Sequence, residues 1–150
     1  MSPDGRTVPP GAVLIDTSAW IQSFRSSGPA DLHDYIRRVI KARLAAACGI
    51  VDLELLSGCR SREEFAKLKT ALEAQHRLEF EQPVWALGDE TAFSLRRKGI
   101  TVPTVDIIVA ALALHHQVVL AHHDSHFELI KKVMPGLKTI HFLASSSPSA

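Results

Sequence analysis

Residues 102–124 read VPTVDIIVAALALHHQVVLAHHD. Thr104 is suited to cap a helix, and residues 105–115 are apolar on nearly every side, which predicts a buried helix rather than a half-exposed one. Residues 118–121 then predict a short buried strand. A buried helix that leads into a buried strand is typical of α/β folds with a parallel sheet.

The same alternation continues on both sides of this stretch. We predict strands at residues 12–15, 45–48, 78–80, 118–121 and 138–142. A helix is predicted directly after Asp16, and others at residues 31–43, 51–56, 62–72, 85–97, 105–115 and 127–133. This order predicts a three-layer α/β/α sandwich around a central, mostly parallel sheet.

The chain length and composition indicate one domain. A chain of 150 residues closes a single hydrophobic core. We predict a flexible lead-in at residues 1–11, which are rich in proline and lack the pattern of a signal peptide, a folded domain at residues 12–143, and a disordered tail at residues 144–150. The net charge of +1 gives no reason for or against a polyanionic partner.

Neither a membrane span nor a disulfide framework is expected. The longest apolar run, residues 107–114, is less than half of the roughly 20 residues that a membrane helix needs. Cys48 and Cys59 are too few for a disulfide framework, so we expect free thiols and a cytoplasmic protein.

Four carboxylates stand at positions that suggest chemistry. Asp16 and Asp124 directly follow predicted strands, where ligands collect at the carboxyl edge of a parallel sheet. Asp106 interrupts an apolar segment, and a charge there needs a partner or a cation. Glu54 lies within an apolar helical turn. Taken singly, Asp16 and Asp124 are explained equally well as helix caps, and Glu54 is explained equally well as part of a solvated helix face.

Together, four segments of the chain resemble the PIN-domain nucleases, and among them the VapC-type toxins of bacterial toxin–antitoxin pairs. The segments are Val13-Leu14-Ile15-Asp16-Thr17-Ser18-Ala19-Trp20, Glu54-Leu55-Leu56-Ser57-Gly58, residues 102–113, and His122-His123-Asp124-Ser125-His126-Phe127. The resemblance makes Asp16, Glu54, Asp106 and Asp124 the four acids of the family, in that order.

The resemblance implies a metal-dependent endoribonuclease that leaves a 5′-phosphate and a 3′-hydroxyl. Four carboxylates that repel one another favour a hard cation, Mg²⁺ or Mn²⁺. We expect Asp16, Asp106 and Asp124 to be its ligands and Glu54 to ligate or to act as the base. Thr17 or Ser18 is expected to hold water or a substrate phosphate, unless it caps the helix.

The resemblance also implies partners. These are an RNA substrate, a cognate antitoxin whose C-terminal segment lies across the cleft, and a second copy of the chain in a homodimer. The amphipathic helices at residues 31–43 and 62–72 are candidates for the antitoxin groove, although core packing explains their apolar faces equally well. Candidates for holding the RNA backbone are basic residues, some of which are expected to be only solvated; they are Arg60, Arg62, Arg96, Arg97 and Lys98.

One segment departs from the family pattern. His122 stands where typical members carry Thr, and His126 where they carry a second Asp. This departure favours one bound metal over two, and it motivates an alternative, a catalytically weak or dead PIN fold that serves as a protein or RNA interaction module. Five histidines lie between residues 115 and 126, but their spacing is not a standard zinc pattern, and we expect some to contact substrate or solvent instead.

Overall fold

The computed structural model describes residues 8–143, which form five strands separated by one or two helices each, seven helices in all. In chain order they are β1 (Val13–Ile15), α1 (Thr17–Phe24), α2 (Ala30–Lys41), β2 (Ala45–Ala47), α3 (Gly49–Ser57), α4 (Arg62–Glu73), β3 (His76–Arg77), α5 (Gln82–Arg97), α6 (Thr104–His115), β4 (Val119–His122), α7 (His126–Ile130) and β5 (Thr139–His141). Residues 1–7 of the expected lead-in and the whole expected tail lie outside the described residues.

The sheet is parallel throughout, with the strand order β3-β2-β1-β4-β5. Helices flank it in the predicted three-layer α/β/α arrangement. β1 lies at the centre, and the chain builds outward from it through β2 to β3 before crossing over to β4 on the other side. The strand order therefore reverses between β1 and β4, and in open parallel sheets ligands bind at the carboxyl ends of the strands at this switch point.

Buried apolar residues fix both the sheet and its most buried helix. Every residue of β1 and β2 is buried, as expected for strands covered on both faces. All residues from Ile107 to Ala113 in α6 are also buried, and α6 contacts α5, β4 and α7. The prediction that this helix is buried nearly all round is confirmed.

Two local predictions are wrong. The strand predicted at residues 78–80 is β3 at His76–Arg77, where the chain pairs with β2; Leu78 then donates one more hydrogen bond to the Ala47 carbonyl oxygen. Thr104 does not cap α6 but is its first residue, and the N-cap is Pro103 without a side-chain hydrogen bond. Other predicted ends differ by a few residues; α5, for example, begins at Gln82 because proline is tolerated in a first helical turn.

Two further sequence predictions concern membrane spans and thiols. Within residues 8–143, no helix is both long and apolar enough to cross a membrane. Cys48 and Cys59 are free thiols, the first buried and the second half-buried.

Candidate active site

The carboxyl ends of β1 and β4 bring Asp16 and Asp124 to one edge of the sheet. Ile15 pairs with Ala121, and the backbone N–H of Asp16 donates to the Ala121 carbonyl oxygen at 2.9 Å. Ser18 adds a second link, because its hydroxyl accepts the backbone N–H of His123 at 2.9 Å. The loop that carries Asp124 is therefore tied directly to the start of α1.

Asp16 is buried and is also the N-cap of α1. Its Oδ2 accepts hydrogen bonds from the Ser18 backbone N–H at 3.0 Å and from the Ser18 hydroxyl at 2.6 Å. Burial raises the pKa of Asp16, and the nearby charge of Glu54 adds to this, while the Ser18 hydrogen bonds oppose it. Asp16 therefore caps α1, and its position at this edge of the sheet is compatible with the predicted role in a site.

Asp106 reaches the same edge from the first turn of α6. Burial, and after it the negative charges of Asp16 and Asp124, raise its pKa to about 6 against the opposing effect of His126. A group whose charge is this strongly disfavoured in the folded state is a candidate for function.

His126 joins Asp106 and Asp124. Its Nδ1 lies 3.1 Å from Asp106 Oδ2 and 3.0 Å from Asp124 Oδ1, and its backbone N–H donates to the same Asp124 oxygen at 2.9 Å. One ligand atom from each of these three residues lies within 4.8 Å of the other two. The structure therefore places an imidazole among the expected carboxylate ligands, where the sequence indicated only the loss of a second acid.

Glu54 stands at the margin of this cluster. It lies on α3 and is exposed, and its Oε1 accepts a hydrogen bond from the Thr17 hydroxyl at 2.8 Å. The charge of Glu54 raises the pKa of Asp16, and the charges of Asp16 and Asp124 raise the pKa of Asp106. All four expected acids therefore lie at one edge of the sheet. Neither Thr17 nor Ser18 is the N-cap of α1, since Asp16 has that role. The Thr17 hydroxyl orients Glu54, and the Ser18 hydroxyl links α1 to the loop that carries Asp124.

The donor set fits a divalent cation. The carboxylates of Asp106 and Asp124 and the imidazole of His126 lie close together, and the charge of Asp16 acts on Asp106. Among residues 8–143, no lysine or arginine forms an ion pair with these three aspartates. Oxygen-rich sites of this kind suit Mg²⁺ and Mn²⁺, and an imidazole is compatible with the latter.

Comparison with known proteins shows which family the chain belongs to. A family model described as PIN domain matches residues 13–133. The chain belongs to the PIN-domain family. Ribonuclease VapC21 of Mycobacterium tuberculosis is 34% identical over 123 residues, covering 80% of this chain and 86% of the relative. Ribonuclease VapC11 of the same species is 29% identical over 125 residues, covering 81% of this chain and 92% of the relative.

Solved structures show the same fold. A VapBC2 structure from Rickettsia felis, bound to a DNA fragment from its promoter, superposes with a TM-score of 0.70 at 18% identity, covering 87% of this chain and 98% of that one. VapBC-1 from nontypeable Haemophilus influenzae gives the same TM-score and identity, with 87% and 97% covered. The resemblance to PIN domains drawn from four short segments is thus confirmed.

His122, the other departure from the family pattern, supports the Asp124 loop of this PIN domain from inside. It is fully buried; its Nδ1 accepts the Asp124 backbone N–H at 3.2 Å, and its Nε2 lies 3.0 Å from Glu128 Oε1. Because a backbone N–H only donates, the ring proton must be on Nε2, which donates to Glu128. Burial lowers the pKa of His122, which favours this neutral form.

The remaining histidines lie in other contacts. At the C-terminal end of α6, opposite Asp106, His115 Nε2 is 3.1 Å from Glu81 Oε2 and His116 Nε2 is 3.0 Å from the Glu79 carbonyl oxygen. His123 Nδ1 contacts the Phe142 carbonyl oxygen.

Replacing Asp106 with asparagine should change the pH dependence of stability in the metal-free protein. Folding raises the pKa of Asp106 from 3.8 to about 6, so between these values the folded state holds a proton that the unfolded chain has lost. The contribution of this group to stability therefore falls as pH rises through that window. Urea denaturation in the presence of a chelator measures the free energy of unfolding. Between pH 3.8 and about 6, this free energy should fall less for Asp106→Asn than for the wild type, so that the variant is the more stable protein near pH 7. Asp89→Asn, an exposed acid on α5, is the control, and equal pH profiles for wild type and Asp106→Asn would contradict the assignment.

Replacing His122 tests its support of the Asp124 loop. His122→Leu leaves the Asp124 N–H and Glu128 without this partner and should lower the free energy of unfolding by about 1–3 kcal/mol. His122→Asn keeps an acceptor near the position of Nδ1 and should lose less. Urea denaturation of both variants measures the difference, and a leucine variant as stable as the wild type would show that the hydrogen bonds contribute nothing.

Proposed function

We propose that this chain is an endoribonuclease toxin that hydrolyses RNA phosphodiester bonds with Mg²⁺ or Mn²⁺ and is neutralised by a cognate antitoxin. The observation that carries the proposal is the convergence of Asp16, Asp106 and Asp124 at the switch point of the sheet, with the pKa of Asp106 raised to about 6. The relatives named ribonucleases support the same reaction.

Asp16, Asp106 and Asp124 would hold the cation. When bound, the cation would polarise a phosphodiester oxygen and acidify a water for in-line attack. The residues of the chain fix where that happens. Ser18 holds Asp16 by two hydrogen bonds, and His122 and the His126 backbone N–H hold the loop and side chain of Asp124.

Glu54 is the proposed base for the attacking water. It is exposed to solvent, and the Thr17 hydroxyl fixes one of its oxygens at 2.8 Å, which leaves the other oxygen able to accept a proton. The role of Thr17 in this proposal is to orient Glu54. Basic residues of α5 and of the α3–α4 turn, all exposed, remain the proposed contacts of the RNA backbone; they are Arg60, Arg62, Arg96, Arg97 and Lys98.

The antitoxin is proposed to lie in an apolar groove between α1, α2 and α4. A cavity of about 500 Å³ opens there, lined mainly by Trp20, Ile40, Leu68 and Leu72, with the exposed ring of Phe24 at its border. The groove uses the two amphipathic helices that the sequence pointed to. The homodimer stays a prediction, which light scattering of the purified protein tests.

The altered segment does not by itself favour an inactive module. Its two histidines motivated that alternative, yet Asp124 still lies with Asp106, and His126 adds a donor atom to the pair. No observation on the described residues therefore favours the interaction module over the nuclease.

Purified protein should cleave single-stranded RNA only when Mg²⁺ or Mn²⁺ is present, and chelator should stop it. Asp16→Asn and Asp106→Asn should each lower kcat by about 10²- to 10³-fold, the usual cost of removing a group that stabilises charge in a transition state. Asp89→Asn is the matched control and should keep full activity. Cleavage that survives both site variants would refute the proposal, and absence of both cleavage and metal binding would favour the interaction module.

A further inference from the structure

The position of His126 bears on which metal the site takes. Its Nδ1 is 3.0 Å from one carboxylate oxygen and 3.1 Å from another, on residues that come from different elements. A ring nitrogen carries at most one hydrogen, so it cannot make two linear hydrogen bonds to Asp106 and Asp124 together. Asp124 Oδ1 already accepts the backbone N–H of His126 at 2.9 Å. At most one of these two contacts is therefore a linear hydrogen bond, although both carboxylate oxygens lie equally near the same nitrogen.

The same spacing matches the coordination shell of a small divalent cation. With metal–ligand bonds of about 2.1 Å in an octahedral shell, adjacent ligand atoms are about 3 Å apart. His126 Nδ1 lies at that distance from an oxygen of each aspartate, so all three atoms would need little movement to share one ion.

The other nearby imidazoles are engaged elsewhere. Both nitrogens of His122 contact groups of the protein, and Nδ1 of His123 contacts a backbone carbonyl oxygen. Among the described residues, His126 is the histidine that offers a nitrogen to the acidic cluster.

We propose that His126 Nδ1 is a direct metal ligand, and that this nitrogen makes the site select Mn²⁺ over Mg²⁺. The inference rests on the proposed function, since it concerns the same cation site. Mg²⁺ is a hard ion that prefers oxygen ligands, whereas imidazole suits first-row transition metals, so exchanging a carboxylate for an imidazole moves the preference toward Mn²⁺.

Pulsed electron paramagnetic resonance of the full chain loaded with Mn²⁺ tests this directly. The wild type should show coupling between Mn²⁺ and a ¹⁴N nucleus, and labelling the histidines with ¹⁵N should replace it with the ¹⁵N signal. His126→Asp should abolish the coupling while still binding metal, because it adds a carboxylate at the same place. His115→Gln, at the other end of α6, should leave the coupling intact.

Competition between the two ions gives the second readout. The ratio of Mn²⁺ to Mg²⁺ affinity should fall at least about tenfold in His126→Asp, since even changes outside the first coordination shell commonly alter metal affinity by that much. The ratio in His115→Gln should match the wild type.

The outcomes separate this inference from the function on which it rests. Two results would overturn the inference: Mn²⁺ bound to the wild type without histidine coupling, or an unchanged affinity ratio in His126→Asp. Either would leave His126 as a hydrogen-bond partner of the aspartates, and the proposed nuclease would stand. Failure of the wild type to bind either ion would overturn both.

Discussion

The pairing of β1 with β4 is the interaction on which the site depends. β1 sits at the centre of the sheet, and its register with β4 places Asp16 beside the loop that carries Asp124. The strands themselves are short and mostly buried, so their backbone hydrogen bonds and apolar packing hold this register, and the Ser18 hydroxyl adds one more link. Slipping the register by one residue would exchange the side chains that pack on the two covered faces of the sheet and would move Asp16 away from the Asp124 loop.

The carboxylates at the carboxyl edge of the sheet destabilise the folded protein electrostatically when no cation is bound. Burial is the largest cause of the rise in the pKa of Asp106 to about 6, and the negative charges of Asp16 and Asp124 add to it. The N-terminus of α6 and the His126 imidazole reduce this destabilisation but do not remove it. A cluster that destabilises the protein when it is empty of cations and becomes favourable when one binds is typical of a site kept for function rather than for stability.

The sequence predicted the sheet class, and it made Asp16, Asp106 and Asp124 candidate site residues, because these follow from local patterns; Glu54 was predicted mainly from its resemblance to the family motif. Asp16 and Asp124 each follow an apolar run, and Asp106 interrupts one. The role of His126 could not be predicted in the same way, because its contact with Asp106 spans 20 residues and depends on how α6 packs against α7. The same holds for the Thr17–Glu54 hydrogen bond, 37 residues apart, and for β3, whose position is set by pairing with β2 rather than by its own polar sequence.

The central claim is that the acids at the switch point form one cation site. A crystal soaked in Mn²⁺ and measured for anomalous scattering would locate the ion directly. The account predicts a peak between Asp106, Asp124 and His126, with Asp16 bound to the ion directly or through one water. A well-ordered crystal with no peak at this edge, or with its peak only at His115 and His116, would contradict it.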